Sequence, residues 1–139
     1  MSQIVQDERV GLASPWSQRH VAFSANLGTF GLCDGLITPL GKAHRAGSVI
    51  VNRALSSPAR AEDARRDCLA NQGVNCCACM KRCLADAITA DGHDKVRCME
   101  FVFQQIPVIK SHYGIDVYAC GLCQTGVPCT DGVPRMPST

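Results

Sequence analysis

Cysteine usage constrains this chain more than any other feature of its sequence. Ten of the 139 residues are cysteine, about 7% and well above ordinary usage. Nine of the ten lie between Cys68 and Cys129. The first nine residues show no secretion signal, and cytosolic thiols are held reduced, so clustered cysteines favour metal binding over a disulfide framework.

The cysteine spacing repeats. Each repeat contains, in order, a lone cysteine, a C-x2-C pair and a closing cysteine. The members are Cys68, Cys76, Cys79 and Cys83 in the first repeat and Cys98, Cys120, Cys123 and Cys129 in the second. A C-x2-C turn lets two thiolates converge on one metal centre, a geometry that fits tetrahedral zinc or an iron–sulfur cluster.

The closing cysteine of the first repeat favours iron–sulfur clusters. Cys76, Cys79 and Cys83 have the spacing C-x2-C-x3-C, as in the bacterial ferredoxin run, whose last cysteine binds the other cluster. The ligand sets should therefore cross over. We predict two [4Fe-4S] clusters, the first held by Cys68, Cys76, Cys79 and Cys129 and the second by Cys98, Cys120, Cys123 and Cys83.

Three departures and one alternative accompany this prediction. Seven residues, rather than two, separate Cys68 from Cys76, five separate Cys123 from Cys129, and Leu84 stands where ferredoxins place proline. The alternative is a pair of zinc sites, for which His93 and His112 are available as extra ligands.

Two cysteines lie outside the repeat. Cys77 is adjacent to Cys76, so its side chain should point away from whatever Cys76 binds, as a buried thiol that is not a ligand. We predict that Cys33 is a small apolar residue of the core. The alternative is that its thiol reaches toward a substrate.

The rest of the chain predicts an α+β fold in three parts. Residues 1–13 lack a clear period and predict an N-terminal arm. Residues 14–57 predict a helix from Pro15 to Leu27, capped by Ser14, and then a hairpin of residues 36–38 with 48–51. Residues 58–139 predict a loop-rich, ferredoxin-like two-cluster domain, with helices at 63–69 and 95–106, the second capped by Asp94 and ended by Pro107.

Charge and hydropathy exclude several function classes. Fourteen Lys and Arg against twelve Asp and Glu give a net charge of +2, too balanced for an electrostatic nucleic-acid binder. No apolar run approaches the length of a membrane span. We therefore expect a cytoplasmic protein. The loop containing Lys42, His44 and Arg45 faces either solvent or an anionic ligand or partner.

Four segments carry a resemblance to a known family. They are residues 25–31 (ANLGTFG), 36–39 (LITP), 47–49 (GSV) and 120–129 (CGLCQTGVPC). With them, residues from about Trp16 to Pro134 resemble the C-terminal half of epoxyqueuosine reductase-like and reductive dehalogenase-like iron–sulfur proteins. The resemblance implies that the eight repeat cysteines hold two clusters that pass electrons to a corrinoid, and that residues 27–31 match part of the corrinoid-holding domain.

Two functional hypotheses follow. The first is an electron-transfer protein or subunit that passes single electrons to a partner redox enzyme, is not catalytic alone and forms a homo- or hetero-oligomer. The second is a subunit of a split corrinoid-dependent reductase that completes its active site together with another chain. The resemblance implies that a corrinoid binds only when that partner chain is present. Cys33, His44 and Arg45 are the candidate site residues of this second hypothesis. The sequence has no nucleophile–base pair, phosphate loop or dinucleotide fingerprint.

Overall fold

The chain combines short helices with small antiparallel sheets, a mixed α+β fold. A computed structural model describes residues 5–8, 11–56, 59 and 61–136. Within them, the strands are β1 (Val5–Asp7), β2 (Gly11–Ala13), β3 (Thr29–Phe30), β4 (Leu36–Ile37), β5 (Ile88–Thr89) and β6 (Gly92–His93). The helices are α1 (Gln18–Ser24), α2 (Ala78–Lys81), α3 (Lys95–Gln104) and α4 (Ile106–Tyr113), with a 3-10 turn at Leu122–Gln124. The predicted boundary at residues 57 and 58 lies outside the described residues.

The predicted N-terminal arm contains a hairpin. Val5 of β1 pairs with Ala13 of β2 in antiparallel register. Gly11 has φ +69°, a conformation that glycine adopts without steric cost. Three-residue strands carry almost no periodic signal, which is why the sequence did not predict them.

Helix α1 confirms the centre of the helix predicted from Pro15 to Leu27. It begins later than predicted, at Gln18, because Ser17 rather than Ser14 occupies the N-cap. The Ser14 hydroxyl instead donates to the carbonyl of Trp16. Phe23 of α1 packs on Phe30 of β3 with ring centroids 5.4 Å apart, which fixes the helix against the next strand.

The predicted partner of strand β4 is wrong. Residues 36 and 37 pair with Phe30 and Thr29, whereas residues 48–51 form no strand and Ile50 is fully exposed. β4 pairs with β3, the strand nearer in sequence, because residues 31–35 form a tight turn. In this turn the Gly31 amide donates to the Gly35 carbonyl at 2.8 Å. A short turn closes at a smaller entropic cost than the loop that the predicted hairpin needs.

The helix predicted at residues 63–69 is also wrong, because this segment is a run of turns bonded to β3. The Phe30 amide donates to the Ala64 carbonyl at 2.7 Å. The Thr29 hydroxyl donates to the Asp67 carboxylate at 2.9 Å and accepts from the Asp67 amide at 3.1 Å. These bonds satisfy backbone and side-chain groups that a helix would leave to water, and they fix Cys68 beside the hairpin.

The helix predicted from Lys95 to Ile106 is present as α3, with its cap confirmed but its end misplaced. The Asp94 carboxylate accepts from the Arg97 amide at 3.0 Å, the N-cap bond that the sequence predicted. Pro107 does not end the helical region, because it lies in the first turn of α4. Proline is tolerated there since that turn's amides have no intrahelical acceptor.

The core lies between the β3–β4 hairpin and the cysteine-bearing segments. Ile37 and Ala87 have no exposed surface, and Leu36, Ile88 and Leu32 are almost completely buried. In the part of the chain that the structure describes, no helix has the length and apolarity to cross a bilayer.

Candidate functional site

Thiols make up a large part of the hydrophobic core. The buried cluster of apolar residues includes Cys33, Cys68 and Cys79, and the partly buried Cys83, Cys123 and Cys129 pack against it. All ten cysteines lie within the described residues, and all are free thiols. A core of this composition places nucleophilic and metal-ligating groups where apolar side chains ordinarily lie.

Helix α2 and the 3-10 turn bring the two cysteine repeats side by side. The Arg82 guanidinium, which follows α2, donates to the Leu122 carbonyl at 2.8 Å. Cys79 lies in α2 and Cys123 in the 3-10 turn. A hydrogen bond from the charged Arg82 therefore joins the segments that carry these two cysteines.

Four cysteines from both repeats border one cavity. They are Cys68, Cys76, Cys79 and Cys129, and the apolar walls include Leu32 and Val127. This is the set predicted as the first cluster's ligands. The space between the side chains is about 20 Å³, roughly that of one water molecule. Within the described residues, no group of three or more His, Cys, Asp or Glu side chains is placed to hold a metal ion.

The predicted second set, Cys98, Cys83, Cys120 and Cys123, is less closely gathered than the first: Cys98 interacts electrostatically with Cys83 and Cys120, and Cys123 interacts with Cys120. Burial raises the pKa of the Cys98 thiol, and the nearby Cys83 and Cys120 raise it further. The Cys83 sulfur also accepts from the Ala87 amide at 3.3 Å. A second cavity, of about 550 Å³, has Cys98 and Cys120 in its wall.

A thiol and an ammonium outside the repeats lie between the two sets. Cys33 is 3% exposed and Lys42 is 2% exposed. The Lys42 Nζ donates to the Cys33 Sγ at 3.2 Å. The Cys33 Sγ also lies 3.7 Å from the Cys123 carbonyl oxygen. The prediction that Cys33 is a core residue is confirmed by its burial. Its thiol also accepts a hydrogen bond from Lys42 and donates to the Cys123 carbonyl.

The pKa values of Cys33 and Lys42 both differ strongly from their ordinary values. Hydrogen bonds from the Cys123 and Cys79 thiols, together with the Lys42 charge, lower the pKa of Cys33 far below its ordinary value despite burial. The same hydrogen bonds and burial raise the pKa values of Cys79 and Cys123. Burial opposes the charge on Lys42, yet the neighbouring Cys33, Cys129 and Cys79 raise its pKa.

The basic loop of residues 42–45 is not one surface. Lys42 is buried, so its side chain neither faces solvent nor contacts an anionic partner at the surface. His44 is half-buried, with its Nδ1 3.1 Å from the Gly41 carbonyl, and Arg45 is exposed. Nothing in the local sequence signals the burial of Lys42, because Cys79 and Cys129, which lie near it in the fold, are distant in the chain. His44, Arg45 and Lys42 all line the larger cavity beside Cys98.

The remaining candidates have partners of their own. The half-buried Cys77 caps α2 and donates to the Asn75 side chain at 3.2 Å. His93 Nδ1 lies 3.4 Å from an Asp34 carboxylate oxygen. His112 is exposed and stacks near Tyr113.

Comparison of the chain with family models, with curated proteins and with solved structures found no match.

Proposed function

We propose that this protein is a one-electron carrier that holds two [4Fe-4S] clusters in a ferredoxin-like arrangement and passes electrons to a partner redox enzyme. The observation that carries the proposal is the cavity bordered by Cys68, Cys76, Cys79 and Cys129. Its ligands come from both repeats, as the crossed ferredoxin pattern requires. The electrons enter from a donor protein and leave to an acceptor, and no covalent bond of the chain changes.

The donor set suits iron–sulfur chemistry. Four thiols and no carboxylate border the cavity, and soft thiolate ligands select such clusters. Leu32 and Val127 supply an apolar part of the wall, which would limit the access of solvent to a bound cluster. The present space holds about one water, so binding a larger core requires the cysteine side chains to move apart.

In the proposed function, the bound cluster and the protein around it do different things. A bound cluster supplies reversible one-electron oxidation and reduction. The cysteines hold it as thiolates, the apolar wall limits solvent access, and the Arg82–Leu122 hydrogen bond keeps the two C-x2-C segments adjacent. Solvent access and hydrogen bonds to sulfur are the protein's means of setting a cluster's potential.

Anaerobic purification with quantification of iron and acid-labile sulfide tests the proposal. The expected result is about eight of each per chain, with two electrons taken up per chain in a reductive titration. Zinc with negligible sulfide would defeat the proposal and favour the pair of zinc sites instead.

The larger cavity supports a second candidate function, a subunit of a split corrinoid-dependent reductase. His44 and Arg45 line this cavity together with Cys98 and Cys120, so a bound molecule there would lie next to the second thiol set. Cys33 does not line it, as far as the described residues show. The family resemblance implies that a partner chain completes such a site.

Co-purification distinguishes the two functions. The electron-carrier function predicts iron–sulfur absorbance alone from the isolated chain. A corrinoid that co-purifies with this chain and a larger partner, and that is lost in Arg45→Ala, would instead support the reductase subunit. Val49 and Ile50, which are exposed and lie a few residues after Arg45 in the chain, are the apolar surface that we propose for partner contact.

A further inference from the structure

Lys42 is an ammonium buried in a core of thiols. It is 2% exposed, and its Nζ donates to the Cys33 Sγ at 3.2 Å. Taking an ammonium out of water is costly unless anionic or hydrogen-bonding groups surround it. The side chain lines the cavity bordered by the first thiol set, so those groups are sulfur.

The backbone fixes this lysine against one of the predicted ligands. The Lys42 amide donates to the Cys129 carbonyl at 2.9 Å and to the Thr130 carbonyl at 3.1 Å. The lysine stem runs close to Gly35, where an added Cβ would lie 3.3 Å from the Lys42 Cδ. The chain therefore leaves room at a glycine for this stem and anchors its main chain beside Cys129.

A fixed positive charge among thiolates has a definite consequence for a redox centre. Reduction adds one negative charge, and a nearby cation in a low-dielectric interior stabilises the reduced form more than the oxidised form. Lys42 shares the first cavity with all four cysteines of the first set but the larger cavity with only Cys98 and Cys120 of the second. Its effect should be larger on the first cluster.

We propose that Lys42 is a positioning residue that offsets the thiolate charge around the first cluster and raises its reduction potential relative to that of the second. This inference rests on the proposed electron-carrier function and adds to it a residue that no cysteine pattern identifies. It also gives the two clusters different roles, since a higher potential makes the first cluster the favoured resting place of the electron.

Redox titration of the whole protein, followed by electron paramagnetic resonance, tests the inference. Lys42→Met should lower the reduction equilibrium constant of the first cluster about tenfold, which is about 59 mV for one electron, and that of the second by less. Lys42→Arg retains the charge and should stay close to wild type. Lys81→Met is the matched control, because Lys81 is an exposed lysine of α2 beside the same cysteines.

Iron and sulfide analysis of every variant separates the possible failures. Wild-type protein without sulfide would refute the proposed function itself. Wild-type and Lys42→Met proteins with full clusters and equal potentials would overturn only the inference, as would equal shifts in Lys42→Met and Lys81→Met. If the Lys42→Met protein lacks the first cluster, the redox titration is repeated with Lys42→Gln. If both neutral variants lack the first cluster but Lys42→Arg retains it, the result supports the inference that the first cluster needs the positive charge. If all three variants lack the first cluster, the inference is overturned.

Discussion

Asp34 connects three parts of the chain through one carboxylate. One oxygen lies 3.6 Å from the Arg65 guanidinium, and the other lies 3.4 Å from His93 Nδ1 on β6. Burial acts to raise the pKa of Asp34, but His93, Lys95 and Arg65 outweigh it and hold the pKa below its ordinary value. A carboxyl with a lowered native pKa stabilises the fold above its unfolded pKa, and that stabilisation is lost as pH falls through the native pKa.

Asp34→Asn should lower the free energy of unfolding by about 0.5–1 kcal/mol at pH 7, as expected for partly exposed ion pairs. Asn tolerates the φ of +55° at this position, so the substitution isolates the charge. The difference from wild type should shrink as pH falls from about 4, the unfolded pKa, through the lower native pKa of Asp34. Urea unfolding at pH 7 and at a series of pH values below about 4 measures it, with the exposed Asp91→Asn as control. A difference that does not vary with pH would contradict the assignment.

Ligand sharing between the repeats is testable by iron counting. Cys76→Ala and Cys129→Ala should each leave about four irons per chain, and the double variant should also leave about four, because we propose both residues as ligands of the first cluster. Combining Cys129→Ala with Cys98→Ala should remove both clusters. Cys77→Ala, which loses a contact with Asn75, should keep about eight. A Cys76/Cys129 double variant without iron would show that the two cysteines serve different clusters.

The loop after β4 packs against the segment that follows Cys129, and one glycine permits the contact. Gly41 has φ +89°, and a Cβ there would lie 2.0 Å from the Thr130 carbonyl oxygen. Gly41→Ala should therefore destabilise the protein by more than about 1 kcal/mol. Gly47→Ala should change stability by less than about 0.5 kcal/mol, since nothing lies within 4 Å. Equal midpoints in urea unfolding for the two variants would refute this packing.

The elements that the sequence predicted correctly depend on local interactions. The Asp94 cap bonds an amide three residues away, and the centre of α1 follows from its apolar spacing. The partner of β4 and the turns of 63–69 depend instead on contacts across the fold, such as the bonds between Thr29 and Asp67. Short apolar runs and turn residues carry no information about such distant partners.

At the scale of the whole molecule, the same distinction applies to the site. The count and order of cysteines predicted a set of four that does border one cavity. The hydrogen bond between Cys33 and Lys42 was not predictable, because a lysine close to glycine and proline in the sequence is typical of an exposed loop. Its burial follows only once thiols from both repeats surround it.

Removal of the proposed iron–sulfur clusters should destabilise the whole protein, since cysteines from both repeats lie in or against one hydrophobic core. A group that binds only the folded state stabilises it by mass action. Chelation after mild oxidation should lower the thermal midpoint and increase amide exchange in α2 and residues 120–129. Exchange in the β1–β2 hairpin, whose residues are outside that core cluster, is the internal control. An unchanged midpoint would mean that the cysteines pack without needing a bound group.

Anomalous diffraction at the iron edge, from crystals grown anaerobically, would locate the proposed iron atoms directly. We expect two groups of four iron atoms, one within bonding distance of Cys68, Cys76, Cys79 and Cys129 and the other of Cys83, Cys98, Cys120 and Cys123. Single ions held by thiolates, or a group of irons bound by cysteines from one repeat alone, would contradict this expectation.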